Sequence, residues 1–210
     1  MRARASLILL AVSVAIGTTC YPYQITSVSQ LASVTTLVDS QAPLRDARTF
    51  ALPDTVIHAK TVGASVIGHN GDAKILAQIR AGLLAFGWRE ITDVRAERPD
   101  VVVLTAVLEQ TNTGVAYADW WSAWGWWPGW PVGYGPEWVW GYPVNAVTFT
   151  YQSGTLVVTM LDVAHGNTGA KRVPLLWAAG VDGVLTESSL DGALKGIDQA
   201  FTQSPYLERP

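Results

Sequence analysis

One stretch of the sequence, from Tyr117 to Pro143, constrains the fold more than any other. It holds eight of the ten tryptophans of the 210-residue chain, separated by glycine and proline, and its only charged residues are Asp119 and Glu137. Proline lacks a backbone donor and is excluded from helix interiors and central strands. The four prolines of this stretch therefore predict a long irregular loop. We call residues 117–143 the aromatic insert.

The aromatic insert carries too much apolar surface to be left exposed without a role. Each aromatic side chain buries ~150–250 Å², so eight exposed indoles would present on the order of 1,500 Å². The largest apolar patch on a soluble monomer is about 300–600 Å². The candidate surface for a ligand or partner consists of Trp120, Trp121, Trp124, Trp126, Trp127, Trp130, Tyr134, Trp138 and Trp140.

Several roles for these rings remain open at the level of sequence. They can cover the second face of the sheet, or form a platform for a sugar or peptide with Asp119 and Glu137 as polar anchors. They can also lie at a membrane interface, where tryptophan is favoured. A fourth interpretation is a mobile loop that awaits a partner protein.

The N-terminus predicts an export signal. Met1–Arg4 is basic, and Leu7–Ile16 is an apolar segment too short to span a membrane. Cys20, the only cysteine, follows directly and resembles the lipidated cysteine of bacterial lipoproteins, although Thr19 stands where glycine or alanine is usual. We therefore predict that residues 1–19 are a signal peptide cleaved before Cys20, and that the membrane is a partner through an N-terminal lipid anchor. The alternative is an ordinary signal peptide with an incidental cysteine.

The remaining chain reads as one domain. Residues 20–32 are a polar tether, and 33–210 form a single domain that includes the aromatic insert. The net charge of −3, with no basic run beyond Arg4, argues against nucleic acid as a partner. Tyr21 stands where an aspartate often retains lipoproteins at the inner membrane. We expect a soluble domain anchored in the cell envelope, at the outer membrane facing the periplasm.

The hydrophobic patterns predict six strands and two helices. Helix 72–86 has an apolar stripe of 3.6-residue period, with Asn70 or Asp72 as its cap and Gly87 at its end, whereas residues 54–71 read as a loop. The order of elements predicts an α+β fold, an antiparallel-rich β-sheet with two helices packed on one face and the aromatic insert between strands. The predicted strands are Ser33–Val38, Arg48–Pro53, Val101–Glu109, Val147–Gln152, Thr155–Val163 and Val173–Ala179, and the second helix is Ser189–Gln203.

Three of these strands carry finer predictions. Strand 101–109 is apolar in both phases, so we expect cover on both of its faces. A hairpin turn at Ser153-Gly154 would pair Phe149 with Val158, with Tyr151 opposite Leu156 and Val147 opposite Met160 in the same register. Pro174 predicts that its strand lies at an edge of the sheet.

The sequence shows no catalytic or metal-binding signature. His58, His69 and His165 are far apart in the sequence and are predicted to lie in loops, and no paired-histidine, CxxC or nucleophile-elbow motif occurs. We therefore expect no catalytic residue, no metal and no cofactor. Asp162 is in phase with the core face, where it would cap backbone donors or pair with Arg172. Asp39 is expected to form a turn.

Several local signatures together resemble a family of bacterial lipoproteins described as domain of unknown function 4136. The resemblance implies an envelope location and an α+β fold, and it implies no reaction or catalytic residues. It covers nearly all of the mature chain, with two departures, the tryptophan-rich insert and Ala178-Ala179-Gly180 where a polar residue is common. The matching segments are RTFALP (Arg48–Pro53), Phe86-Gly87-Trp88, RPDVVV (Arg98–Val103), YQSGTLVVTMLDV (Tyr151–Val163), Leu176-Trp177 and a last helix ending in proline after Ser204.

Together these features predict a non-catalytic, lipid-anchored envelope protein with a binding or scaffolding role through the aromatic insert. Its partner would be an envelope protein, a sugar or peptidoglycan. The alternative is an envelope hydrolase or a carbohydrate- or peptidoglycan-binding protein. Convergence of Asp119, Glu137, Asp39 and Asp162, or of a carboxylate and a histidine near the insert, would favour the hydrolase.

Overall fold

The computed structural model describes residues 33–39, 44, 46–59, 69–108, 112–113, 139–142, 150–151, 154–166, 172–182 and 190–210. Only the backbone is described for residues 59, 112–113, 139–142, 150–151 and 172. Within these ranges the strands are β1 (Val34–Val38), β2 (Thr49–Ala51), β3 (Ile57–Ala59), β4 (Arg89–Glu90), β5 (Val101–Leu108), β6 (Asn112–Thr113), β7 (Val139–Tyr142), β8 (Thr150–Tyr151), β9 (Thr155–Asp162) and β10 (Arg172–Val181). The helices are α1 (Asp72–Ala85) and α2 (Leu190–Thr202), with short 3-10 turns at His69–Gly71 and Pro205–Leu207.

Eight of the described strands form one sheet. Its main order is β1-β10-β9-β5-β2-β4, while β3 pairs with β5 and β7 pairs with β10. Strands β6 and β8 form a separate two-stranded sheet. The fold is therefore α+β, as the order of elements predicts, and β5 and β9 lie at its centre.

The sheet is mixed, so the prediction of an antiparallel-rich sheet is wrong. β1, β10, β9 and β5 are antiparallel neighbours, but β2 and β4 are parallel, as are β2 and β5, β3 and β5, and β7 and β10. For the pairs that involve β2 and β3, the cause is the position of α1 in the chain, between β3 and β4. A helix between two strands returns the chain to the end where the first strand began, so the neighbours run parallel. The sequence does not predict β4, which has only two residues. It does not predict β3 either, because this strand has three residues and lies within residues 54–71, which show no clear hydrophobic period.

Strand β5 is buried along its whole length, which confirms the prediction that both of its faces are covered. Val101, Val103 and Val107 face the helices and share a core with residues of α1 and α2. The intervening Val102 and Leu104 are also fully buried, on the opposite face. At 25 cal/mol per Å² of apolar area, full burial of such a side chain contributes ~1.5–3 kcal/mol. The strand therefore needs a layer on each side.

Both helices pack on one face of the sheet, as predicted. α1 buries Ile75, Leu76, Ile79 and Leu83, and α2 buries Ala193, Gly196, Ile197, Ala200 and Phe201, all but Gly196 within the same hydrophobic core. The Gln78 side chain donates a hydrogen bond to Asp198 across the helix pair. Among the described residues, no helix has the length and apolar character that would let it cross a membrane.

The ends of α1 confirm one prediction and correct another. Gly87 has a φ of 81°, a left-handed conformation that glycine adopts without steric cost, and it ends the helix as expected. The N-cap, however, is Gly71, which makes no side-chain capping hydrogen bond, so capping by Asn70 or Asp72 is wrong. The Asp72 carboxylate has other partners, described below.

The hairpin register predicted at Ser153-Gly154 is also wrong. Both edges of β9 are occupied by long strands, so Val158 pairs with Thr105 of β5 and Ala179 of β10. β8 pairs with β6 instead. The pairing of β9 with two long buried strands contributes more stability than a hairpin formed by the local turn would. The predicted partners at 147–149 lie outside the described residues.

Pro174 does not place β10 at an edge of the sheet, because β10 lies between β1 and β9. The physical reason is local. The pairing with β1 covers residues 177–181, and that with β9 begins at Leu175. Pro174 itself pairs with Tyr142 of β7, where the register shifts. Pro174, which has no backbone N–H, therefore lies outside the part of β10 that pairs with a strand on each edge.

Asp100 joins the starts of β2 and β5. Its carboxylate accepts hydrogen bonds from the backbone N–H groups of Arg48 and Thr49, at 2.8 and 2.9 Å, and from the Thr49 hydroxyl at 2.8 Å. Its carbonyl accepts from the N–H of Val163 at 3.1 Å. Burial alone would raise the pKa of Asp100, but these donors outweigh it and hold the pKa below its ordinary value.

We expect Gly196→Ala to destabilise the protein. In an open helix this change would stabilise by ~0.8–1 kcal/mol. Here the added Cβ would overlap the Val181 side chain of β10, and overpacking of this kind costs ~1–3 kcal/mol. Urea unfolding should show a net loss of about 1 kcal/mol. The double variant with Val181→Ala should lose less than the sum of the two single changes. A stabilised Gly196→Ala variant would contradict the packing of α2 on β10.

We expect Asp100→Asn to lower the free energy of unfolding by ~1 kcal/mol near neutral pH, because hydrogen bonds to an ionised acceptor are about twice as strong as neutral ones. The folded pKa is lowered, so this contribution is complete above the unfolded pKa of about 3.9 and is lost as pH falls through the folded value. The difference between wild type and variant should therefore shrink below about pH 4. Asp46→Asn, at an exposed aspartate, is the control. A difference independent of pH would argue against the charged junction.

Candidate functional site

Two histidines and one aspartate converge where β3 faces the start of α1. His58 lies in β3, His69 opens the 3-10 turn, and Asp72 is the first residue of α1. We call these three residues the histidine–aspartate cluster. Within the described part of the chain it is the one group of three or more histidine, cysteine or acidic side chains close enough to hold a metal ion, with its donor atoms all within 4.8 Å of one another.

The Asp72 carboxylate is the centre of the cluster. His58 Nε2 lies 3.0 Å from Oδ1 and 3.2 Å from Oδ2, and His69 Nδ1 lies 2.7 Å from Oδ2. The two imidazole rings are 4.1 Å apart between centroids and tilted by 54°. Each histidine therefore presents one nitrogen to the same carboxylate, with the two rings close to each other.

Burial within the cluster is graded. The His58 side chain is 3% exposed, Asp72 is 17% exposed and His69 is 66% exposed. His58 forms the inner wall and His69 the solvent side. A small ion or molecule that reached Asp72 would approach past His69.

Secondary structure and strand pairing explain how the three residues of the cluster are brought together. An acidic residue in the first turn of a helix is stabilised by the free N–H groups and the dipole at that end. The 3-10 turn places His69 three residues before Asp72, a spacing at which side chains stack on one side. His58 is brought in by the parallel pairing of β3 with β5, in which it stands opposite Val107.

The prediction that the histidines lie far apart in loops is therefore wrong for His58 and His69. The spacing of His69 and Asp72 was visible in the sequence as an i,i+3 pair. His58 carried no such signal, because β3 has three residues and its partner strand lies about 50 residues further along the chain. Only the tertiary pairing brings the second histidine to the carboxylate.

The other predicted acidic residues do not join this cluster. Asp162 is 2% exposed and accepts a 2.8 Å hydrogen bond from the backbone N–H of His165, which confirms that it caps backbone donors. His165 Nδ1 also lies 3.0 Å from Asp162 Oδ2. Pairing of Asp162 with Arg172 lies outside the described side chains. The backbone N–H of Asp39 donates to Leu176 O at 3.0 Å, and the turn expected after it is outside the described residues.

The predicted lipidation site and aromatic surface lie mainly outside the described residues. This holds for Cys20, for Asp119 and Glu137, and for the insert up to residue 138. The end of the insert is described as strand β7, so the prediction of an irregular loop throughout is wrong for Val139–Tyr142. The predicted surface residues concerned are Trp120, Trp121, Trp124, Trp126, Trp127, Trp130, Tyr134 and Trp138, while Trp140 lies in β7 with only its backbone described.

These features define an α+β domain with a mixed sheet, two helices on one face and a two-histidine, one-carboxylate cluster. The chain belongs to the family described as Domain of unknown function (DUF4136), whose model matches residues 34–206. The resemblance inferred from local signatures is thereby confirmed.

Solved structures include similar proteins. A crystal structure of a DUF4136 family protein from Bacteroides thetaiotaomicron is 28% identical, with a TM-score of 0.63 over 84% of this chain and 97% of that chain. The PelC dodecamer from Paraburkholderia phytofirmans is 15% identical, with a TM-score of 0.40 over 85% of this chain and 99% of that chain. No curated protein matches the sequence.

Proposed function

We propose that this protein is a non-catalytic, lipid-anchored protein of the bacterial cell envelope, held at the outer membrane and facing the periplasm. The observation that carries the proposal is the basic and then apolar N-terminal sequence, which is followed by the only cysteine of the chain, Cys20. A short apolar segment followed by a lone thiol fits lipidation. The tether of residues 20–32 would lead into β1, the strand at one edge of the main sheet order.

We further propose that the protein binds or scaffolds through the aromatic insert. Two features of the described residues support this. The insert follows β5, whose side chains are all buried, and its last part, β7, pairs in parallel with Arg172–Pro174 of β10. An insert whose last part pairs with the sheet suits recognition, because binding loops are most effective on a rigid scaffold. Tryptophan faces suit sugars and peptidoglycan, and equally an envelope protein.

Part of the insert also suits a covering role. The face of the sheet away from the helices is buried at Val102, Leu104, Ala106 and Leu161. These residues do not belong to the helix-side core. We assign the cover to rings of the insert other than those at its Trp-Pro-Gly-Trp-Pro tip, Trp126, Trp127 and Trp130.

The alternative, an envelope hydrolase or a carbohydrate-binding protein, draws on the meeting of a carboxylate and two histidines in the histidine–aspartate cluster. General acid–base catalysis requires such groups within hydrogen-bond reach of a substrate. The cluster supports a hydrolase only if it lies near the aromatic insert, where the substrate would bind. Release of soluble fragments from peptidoglycan during incubation with the protein would favour hydrolysis.

Cys20→Ser should free the protein from membranes or block its processing, because the anchor depends on the thiol. Expression in a Gram-negative host, followed by fractionation and mass measurement of the mature chain, checks this. Wild type should sediment with outer membranes and carry the mass of a lipidated N-terminus. Membrane fractionation that is unchanged in the variant would contradict the anchor.

Replacing Trp126, Trp127 and Trp130 together by alanine should abolish co-sedimentation with purified peptidoglycan sacculi while leaving the fold intact. Aromatic stacking supplies much of the affinity in such sites. We therefore expect the affinity for sacculi to fall tenfold or more, which corresponds to a loss of ~1.4 kcal/mol or more of binding free energy. Tyr206→Ala, which removes an exposed ring outside the insert, is the control. Circular dichroism should be native in both. Unchanged sedimentation of the triple variant would contradict binding through the tip.

A further inference from the structure

We propose that His58, His69 and Asp72 form a binding site for a divalent transition-metal ion, with zinc as the best match. The juxtaposition of the three donor atoms within 4.8 Å carries the proposal. It goes beyond the proposed envelope role and does not depend on it.

The donor set selects the class of ion. Two imidazole nitrogens and a carboxylate are ligands that zinc and its neighbours in the first transition row favour. Calcium and magnesium take oxygen ligands almost exclusively, and the cluster offers a single carboxylate. Both histidines would bind in their neutral form, through Nε2 of His58 and Nδ1 of His69, and either nitrogen is a competent ligand.

The two distances from histidine nitrogen to carboxylate oxygen require only a small adjustment. Zinc–ligand bonds of about 2.0–2.2 Å in a tetrahedral site place neighbouring donors about 3.3 Å apart. The observed separations of 3.0 Å from His58 Nε2 to Asp72 Oδ1, and 2.7 Å from His69 Nδ1 to Asp72 Oδ2, are hydrogen-bond lengths. An ion would replace the shared hydrogens and spread the donors by about 0.3–0.6 Å. A change of this size lies within the rotation of the exposed His69 side chain.

Burial gives the site one closed side and one open side. His58 is 3% exposed and belongs to a strand paired with the central strand β5, so its position is fixed by the sheet. His69 is 66% exposed, which provides the path by which an ion enters. Three protein ligands leave a fourth position for water or a ligand atom, the arrangement of zinc sites that interact with other molecules.

Zinc would also join two segments of the chain. His58 stands in β3, whereas His69 and Asp72 stand at the start of α1, on the far side of residues 60–68 in the sequence. An ion that binds only the folded arrangement stabilises it in proportion to its concentration and affinity. Thermal stability is therefore a readout of the site that is separate from any function of the protein.

The experiment is a zinc chloride titration of the full chain, purified in detergent without a histidine tag, by calorimetry and by thermal unfolding. The variants are His69→Ala, which removes an exposed side chain, and Asp72→Asn. The matched control is His165→Ala. His165 Nδ1 also lies 3.0 Å from a carboxylate at an i,i+3 spacing, that of Asp162, but no second histidine meets that pair in the described residues.

Wild type and His165→Ala should bind one zinc ion per chain and show a rising melting temperature with zinc. His69→Ala and Asp72→Asn should bind on the order of 100-fold more weakly, since loss of even an outer-shell partner costs 10–100-fold. Cobalt(II) bound in place of zinc should give a spectrum without thiolate charge transfer, which excludes Cys20 as the ligand. Absence of zinc binding by wild type at millimolar concentration, or equal binding by wild type and His69→Ala, would overturn the proposal.

Discussion

Burial of β5 on both faces is the constraint on which the rest of the structure depends. An eight-residue strand without a charged side chain needs a hydrogen-bonding neighbour on each edge and an apolar layer on each face. β9 supplies one edge over the full length of β5, while β2 and β3 share the other. The helices supply one layer. Asp100, at the entrance to β5, binds the backbone of β2 and so holds the parallel neighbour in register.

The sequence predicts the long elements well, because their signals are local. The stripe of Ile75, Ile79 and Leu83 identifies α1, and the two apolar phases of residues 101–108 identify a covered strand. It fails where the outcome depends on competition between distant segments. Gly154 has a left-handed φ of 88°, as a turn requires, yet β9 pairs with β5 and β10 because they offer longer buried contact than β8. Short strands such as β3 and β4 have too few residues to show a period.

The histidine–aspartate cluster illustrates the same limit at a site. Two of its members, His69 and Asp72, stand three residues apart and could be recognised as a pair. The third depends on β3, which pairs with residues 106–108 of β5. A functional residue on a short strand therefore cannot be predicted from sequence, even when the other residues of its site can be recognised. The aromatic insert presents the opposite case. Its composition is conspicuous in the sequence, but within the described residues only its last part, β7, pairs with another strand.

The position of β5 in the chain has a consequence for the export that we propose. A secreted chain emerges from the translocation channel with its N-terminus first, so β5 would enter the periplasm before the aromatic insert and before β9 and β10. Until about 50 further residues follow, one edge of β5 has no partner, and an apolar strand with a free edge is a site for aggregation. Pairing across such a sequence separation is slow. A chain exported as we propose would thus depend on periplasmic holding chaperones during this interval, until β9 pairs with the free edge of β5.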